Sequence, residues 1–543
     1  MKNRLLKVFV IIMLVSLLSA CAEPLEVLKT EAGPGALRIE ATSVTRQLEE
    51  AGIFTSFTEA TGIPVHLEYF GDVELMLRVQ AYTESKPGSV DAMWLGSPIY
   101  APGLLLKEKT SIMRTYIVLG VSPEAAQDLG WTLGSTISTA DIIKGVEEGK
   151  LKLAVPSASQ DDAGANFLLA VIQSFSNKPN VTQVDLQNEG LKVQLRTLFK
   201  AVAGSANNAA ALSDLFISDR SGSSTFNGFI LPESLAIRTN LELEKKNLEP
   251  MWVFYVEDAV GVQDFPLGWV DGVSEVKQQQ VAKLVEYLKS DEIQTRIQQQ
   301  GYFRTGVAGM TITGPDQNIF NPKWGIITDR NFLPASLPKD IVIMDALAMY
   351  QTLFKPPSQT VFCLDCSPSM EGSGDEQRNA AMEIILDQTE ASRYLLQMGP
   401  KDLTSLLLFS GVINDKRSVE GNNPGILLTT YNWLASHEHG SATNVYGCAI
   451  EALQEILSSQ RQDTLPAVIL LTDGMHNTGN SFRDLRNFYL SNNLTVPVYS
   501  IMLGDASKGD LELIARLTNG RVCDGREGEE ALVQCFKDFR GSN

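Results

Sequence analysis

The sequence predicts an α/β chain made of two parallel-sheet units, and three observations carry that reading. Between residues 35 and 97, strand-like and helix-like stretches alternate in the order β-α-β-α-β. From Gln359 onward the alternation returns with longer apolar strands, and the proline-rich stretch 331–356 separates the two. Short apolar strands alternating with amphipathic helices imply parallel sheets covered by helices. A chain of 543 residues is long enough for about three domains.

The chain opens on "MKNRLLKVFVIIMLVSLLSAC", with Lys2, Arg4 and Lys7 ahead of an apolar run from Val8 to Ala20. That run is too short to span a bilayer as mature structure and reads as an export signal over residues 1–20. "LSAC" resembles the lipobox of bacterial lipoproteins, which implies that Cys21 is lipidated and becomes the N-terminus, with a tether over 21–34. The expected location is then a cell membrane, with the protein lipid-anchored on its extracytoplasmic side. Acyl chains contribute ~0.8 kcal/mol per buried CH₂, so two or more hold the chain there.

Composition excludes some partners. A formal net charge of −19 without a basic stripe argues against nucleic acid, whose backbone is bound by clustered Lys and Arg. Besides Cys21 there are Cys363, Cys366, Cys448, Cys523 and Cys535, an odd number that leaves at least one unpaired. Cys363 and Cys366 in "CLDC" lie ~10 Å apart if on one strand, beyond disulfide reach. Cys523 and Cys535 flank a turn-rich stretch and either pair or stay free.

The first unit begins with the strand "GALRIEAT". The helical stretch "SVTRQLEEAGIFTSFTEATG" follows, stopping at Gly62, and then the strand "IPVHLEYF". The helix "DVELMLRVQAYTES" and the strand "SVDAMWLG" complete the run. This order, with "FTEATGIPVHLEYFGD", "ISTADIIKGVEEGKLKLAVPSASQDDAGANFLLAVI", "LPESLAIRTN" and "DFPLGWVDG" leading into "VAKLVEYLKSDEIQTRIQQQGYFRTG", resembles the two-lobed extracytoplasmic solute-binding proteins. The resemblance spans residues 35–330 and implies a periplasmic-binding-protein-like module with lobe crossings near 119 and 262 and a solute cleft between the lobes. Loops after strands are the expected contacts: Thr42, Ser43, Ser97, and Ser157 and Ser159 ahead of a helix starting near Gly164. A helix start there favours an anionic or strongly hydrogen-bonding solute. Glu233 resembles a ligand or hinge position; its alternative is a solvated carboxylate. Each serine and threonine is also a plausible cap or turn residue.

The connector 331–356 holds one amphipathic helical segment and ends in prolines that stop helix or central strand. Then come the strand "TVFCLD", the loop "CSPSMEGSGD" and one long helix to Met398, stopped by Gly399 and Pro400. Strands "LTSLLLFS", "PAVILLTDG" and "TVPVYSIMLGD" follow, with helices at "NVYGCAIEALQEILSS", "FRDLRNFYLSN" and "GDLELIARLTNG". The pattern is a doubly wound parallel sheet. "DCSPS", "GSATNVYGCAIEAL" and "ILLTDG" then resemble the metal-ion-dependent adhesion site of the von Willebrand factor type A domain, over residues 357–543. That implies Asp365, Ser367, Ser369, Thr443 and Asp473 as metal ligands.

Residue chemistry supports the same set. In an extended loop alternate residues face one side, so Asp365, Ser367 and Ser369 converge. Three hydroxyls and two carboxylates suit Mg²⁺, with Mn²⁺ or Ca²⁺ as alternatives. Two negative ligands under-neutralise the ion, leaving a place for an acidic residue of a protein partner. Pro368 stands where many family members have glycine, which fixes φ near −65° and pushes Ser367 to the extended region. His437 and His439 read as a solvated turn rather than a zinc pair, and His476 lies at the rim.

No G-x-S-x-G, H-E-x-x-H or phosphate-cradling glycine motif occurs, so the expected role is binding rather than catalysis. The leading expectation is a surface lipoprotein that binds a protein through metal and carries a solute cleft. The alternative is the solute-binding component of a membrane transport system, with the second unit as a docking element.

Overall fold

The structure is a computed structural model. It describes residues 33 and 35–541 other than 77, 79–89, 98–105, 179, 223–224, 259, 306–309, 333, 335–337 and 462. The export signal and Cys21 lie outside the described residues.

The first lobe is a five-stranded sheet in the order β2-β1-β3-β11-β4, where β1 is Leu37–Thr42, β2 Val65–Phe70, β3 Ala92–Trp94, β4 Leu106–Ser111 and β11 Pro266–Val270. β1 runs parallel to β2 and β3, as the alternating pattern requires, while β11 is antiparallel to its neighbours. The helix α1, Ile53–Thr61, buries Ile53, Phe54 and Phe57 at i, i+1 and i+4 and ends at Gly62. At φ 71° Gly62 occupies the left-handed region that L side chains resist.

The second lobe has the order β10-β5-β8-β6-β7, with β9 paired to β5. Its strands are β5 Thr115–Val121, β6 Leu153–Pro156, β7 Gly204–Ala206, β8 Gly228–Pro232, β9 Trp252–Phe254 and β10 Gly261–Gln263. The chain therefore crosses between lobes at 112–114 and returns at 264–265. The first crossing comes earlier than the expected 119, because Leu119 is a mid-strand residue paired with Ile230. Four further helices matter below: α2 Asp162–Ser176, α3 Glu189–Lys200, α4 Ala209–Arg220 and α5 Glu233–Lys245.

The connector is not a free linker. Its helix α6, Asp340–Met349, and the π turn Tyr350–Phe354 place Val342, Ile343, Ala346, Leu347, Tyr350 and Phe354 in the core of the second lobe. Phe199 of α3 meets Tyr350 edge-on at 5.1 Å.

The carboxy-terminal domain is a six-stranded sheet, β14-β13-β12-β15-β16-β17. The strands are β12 Ser358–Asp365, β13 Leu403–Phe409, β14 Ile413–Glu420, β15 Leu465–Thr472, β16 Val498–Met502 and β17 Val522–Asp524. All pairs are parallel except β13 with β14. The sequence reading omitted β14 because "INDKRSVE" has the charge of an exposed edge rather than an apolar run. Alternation on β12 sends Phe362 and Leu364 to one face and Val361 and Cys363 to the other. The first face is covered by α7 Ser373–Leu386, α8 Pro424–Ala435 and α12 Glu529–Gly541. The second is covered by α9 Val445–Ser459, α10 Phe482–Ser491 and α11 Lys508–Thr518. Each fully buried leucine in such a layer stabilises by ~1.5–3 kcal/mol.

The long helix expected to reach Met398 stops at Leu386. Asp387 leaves helical angles and its carboxylate accepts from Thr389 N and Glu390 N, which starts a separate turn over Gln388–Arg393. Cys523 and Cys535 form a disulfide, while Cys363, Cys366 and Cys448 are free and buried.

The last helix joins the two halves of the molecule. Gln160 Nε2 donates to Lys537 O at 2.8 Å, and Asn207 Nδ2 to Asp538 Oδ1 at 2.8 Å. Lys355 Nζ donates to Arg540 O at 3.0 Å. Among the described residues no helix is long and apolar enough to cross a membrane.

Candidate metal site and the cleft residues

β12 ends in Asp365, and the carboxyl ends of parallel neighbours open at the same sheet edge. Asp365 is fully buried; Ser367 N donates to its Oδ1 at 2.8 Å and Thr472 Oγ1 to its Oδ2 at 2.5 Å. Burial, with Asp473 adding to it, pushes the Asp365 carboxyl up to about 6.

The loop is not extended throughout. Ser367 is extended at φ −74° and ψ 161°, as a residue before proline should be, but Pro368–Met370 form a 3₁₀ turn. The turn still brings Ser367 Oγ and Ser369 Oγ to 3.1 Å. Thr443 arrives on the loop ahead of α9, where its N donates to Asn477 Oδ1 at 2.9 Å and its O accepts from Asn477 N at 3.0 Å. This exchange ties the Thr443 loop to the loop after Asp473. Asp473 is also fully buried. Its Oδ1 accepts from Met475 N at 3.1 Å, while Oδ2 has no partner among the described residues.

A buried carboxylate oxygen with nothing to bond is costly. The five oxygen-bearing residues Asp365, Ser367, Ser369, Thr443 and Asp473 thus stand on three loops at one edge, with one oxygen still to be satisfied. The set fits a hard divalent cation by donor type.

Two supporting residues, Arg378 and Asp375, went unnoticed in the sequence, and His439, read there as part of a solvated turn, joins them. Arg378 of α7 is buried; its Nη1 donates to Asp365 O at 2.8 Å and forms an ion pair with Asp375 Oδ1 at 2.8 Å. His439 Nε2 lies 2.8 Å from Asp375 Oδ2 and its Nδ1 lies 3.2 Å from Ser367 O. The available signal was an arginine on the same helix stripe as Ala381 and Ile385, where an unpaired charge does not belong. His437 turns elsewhere, to Trp433 and Asp415. His476 packs on Tyr446 at 4.6 Å, and burial pushes its pKa down.

The six expected cleft residues are at most 3% exposed, and they divide. Thr42 Oγ1 donates to Asp72 Oδ2 at 3.0 Å, with Ser43 beside it and Ser97 on the neighbouring loop of the same lobe. Ser157 and Ser159 do not face the space between lobes. Their hydroxyls meet each other at 3.2 Å and turn to Tyr350 and Gln351 of the connector, whose polar atoms satisfy them. Glu233 is neither solvated nor free for a ligand: it takes Arg304 through both oxygens at 2.8 Å and accepts from Tyr255 Oη at 3.2 Å. It stands at the passage from β8 into α5 as the first residue of that helix and serves as a structural anchor. The start of α2 holds no anion cradle either, because Asp161 caps it by accepting from Ala163 N at 2.9 Å.

The lobes are closed on each other. Val73 N donates to Gln160 O at 3.0 Å, and a Cβ on Gly71 would stand 2.1 Å from that oxygen.

The family model of the bacterial extracellular solute-binding proteins matches residues 41–303. The amino-terminal module is solute-binding-protein-like. The inter-alpha-trypsin inhibitor heavy chain H1 of Bos taurus is 30% identical over 195 residues, 34% of this chain and 20% of its own length. Heavy chain H3 of Mesocricetus auratus is 30% identical over 131 residues, 23% of this chain and 14% of its own. The chain thus spans a fifth or less of these relatives. Among solved structures, the substrate-binding protein of an ABC transporter from Agrobacterium tumefaciens is 11% identical, covering 59% of this chain and 94% of that one at a TM-score of 0.42.

Proposed function

We propose that the chain is a surface lipoprotein, anchored through Cys21, whose carboxy-terminal type A domain binds a protein partner through a divalent cation. Asp365, Ser367, Ser369, Thr443 and Asp473 would hold Mg²⁺, with Mn²⁺ and Ca²⁺ as the alternatives the same oxygens admit. When bound, the cation supplies a Lewis-acid position that a partner's carboxylate completes. The chain's own part is to hold the five oxygens in place. Thr472 and Ser367 N fix the Asp365 carboxylate, and the Asn477 exchange fixes Thr443. The observation that carries the reading is Asp473 Oδ2, buried and unpartnered beside this set.

The test is a thermal melt with and without Mg²⁺, followed by capture of partners from native membranes with and without a chelator. We expect the cation to raise the Tm by about 2 °C or more, and Asp473→Ala and Asp365→Ala to abolish both the rise and the capture. Capture indifferent to the chelator and to both variants would sink the proposal.

The second reading, a solute-binding component of a membrane transport system, is favoured by the family match over 41–303. Tight binding of a small solute by the intact chain, with no metal-dependent capture, would favour it.

A further inference from the structure

Five cysteines follow Cys21, and two of them, Cys523 and Cys535, form a disulfide. The other three are buried thiols divided between the two faces of the carboxy-terminal sheet. Cys366 belongs to the face covered by α7, α8 and α12, where Arg378 Nη1 donates to its Sγ at 3.4 Å. Cys363 and Cys448 belong to the opposite face, in one apolar cluster with Val361, Ala449 and Ala452.

The packing of α9 on β12 sets these two side by side. On β12, Gln359 and Cys363 are separated by an even number of positions and point to the same face. On α9, Cys448, Ala452, Ile456 and Ser459 recur at helical spacing and form one stripe. The lower end of this contact is fixed, because Gln359 Nε2 donates to Ser459 Oγ at 2.8 Å. From there Cys363 stands ~13 Å up the strand and Cys448 ~16 Å up the helix, at the rise per residue of each element. The helix runs opposite to the strand, and its upper end is tied where Asn444 N donates to Ser410 O at 2.8 Å, just beyond β13. The two cysteines therefore face each other at about the same level, and their thiols share a hydrogen bond.

A disulfide needs side chains aimed at one another from neighbouring backbone, and thiols so placed in an exported protein are oxidised. We propose that Cys363 and Cys448 are joined by a second disulfide in the exported chain, with Cys366 left as a thiol. The inference rests on the extracytoplasmic placement of the chain and not on the cation. The oxidant is another disulfide, RSSR, carried by a small molecule or by a thiol–disulfide oxidoreductase. The Cys363 sulfur attacks it, the S–S bond of RSSR breaks and one RSH leaves. The Cys448 sulfur then attacks the mixed disulfide, the Cys363–Cys448 bond forms and the second RSH leaves. The two cysteines give up two electrons to the oxidant, and their protons depart on the two RSH molecules. Exchange takes place on the folding chain, before α9 covers the strand, since a buried thiol is inert.

The bond has a consequence for the sheet edge above it. Cys363 precedes Asp365 on β12 and Cys448 follows Thr443 on α9, so the strand that delivers one oxygen donor is tied to the helix behind another. The loop it closes is long, the case in which a bridge restricts the unfolded chain most.

The test lyses cells that export the full chain directly into denaturant and N-ethylmaleimide, without reductant, and maps the cysteines by peptide mass spectrometry. We expect the label on Cys366 alone among the five, and a peptide holding Cys363 linked to one holding Cys448. In Cys448→Ala, Cys363 should become labelled as well while the Cys523–Cys535 bridge is kept. Label on both Cys363 and Cys448 beside an intact Cys523–Cys535 bridge overturns the inference and leaves the extracytoplasmic placement standing. Label on all five overturns both. A bridge from Cys366 to either partner overturns the pairing.

Discussion

Glu233 and Arg304 show what burial does to a charge. Both are at most 2% exposed, joined by two hydrogen bonds at 2.8 Å, and Arg304 also bonds Ile327 O and stands over Tyr116. Arg304→Met would leave the Glu233 carboxylate buried and uncompensated, lowering stability by ~3–5 kcal/mol, measured as the shift in a urea midpoint. Pairing it with Glu233→Leu should restore most of that loss, since the pair then leaves no charge behind. In the sequence Glu233 stood out only by its resemblance to a ligand or hinge position, with a solvated carboxylate as the alternative. Its partner lies 71 residues away, and no spacing rule connects the two. The five candidate oxygen donors could be named in the sequence because three of them come in a local D-x-S-x-S pattern and the others stand beside a strand end or a helix start in loops that resemble those of the type A domain. The roles of Thr472, Asp375 and His439 could not, because they exist only once the loops are brought together.

At the level of elements, glycines set how closely segments approach. Gly164 in α2 faces Pro156 O, with an added Cβ only 2.1 Å away, so the helix packs on the end of β6 only without a side chain there. Gly71 sits against Gln160 O in the same manner but across the lobes. Gly71→Ala should therefore hold the lobes apart. The measurement is hydrogen exchange at the amides of Val73 and Glu74, which both donate to Gln160 O; we expect their protection to fall while that of β12 and β15 is unchanged. Strands β1, β2, β3, β12, β13, β15 and β16 were readable from apolar periodicity. β14 and the break at Asp387 were not, since edge pairing and a side-chain cap override the periodic signal.

Across the whole molecule, the two halves are coupled through α12 and the connector. Lys355 is held against Arg540 O, and burial, with Arg540 adding to it, pushes its pKa down to about 8 from 10.5. Between pH 8 and 10.5 the unfolded chain keeps a proton that the folded chain has shed, so this group's contribution makes stability rise with pH across that window. Below about 8 its full burial penalty applies. Urea midpoints taken across the window should rise, and Lys355→Met should flatten that part of the rise. Asn207→Ala with Gln160→Ala removes two bonds from α12 to the second lobe, and we expect faster proteolytic release of the carboxy-terminal domain with little change in its own unfolding.

The sequence alone determined the α/β class and the order of two parallel-sheet units, because periodicity is a local property of the chain; the five candidate oxygen donors it named through a resemblance to the strand-end loops of the type A domain. Only the tertiary structure decided which polar residues face one another. It sent Ser157 and Ser159 to the connector and locked Glu233 onto Arg304. The reason is physical: burial makes an unpaired polar group costly, and the partner that satisfies it is chosen by packing between segments far apart in the chain.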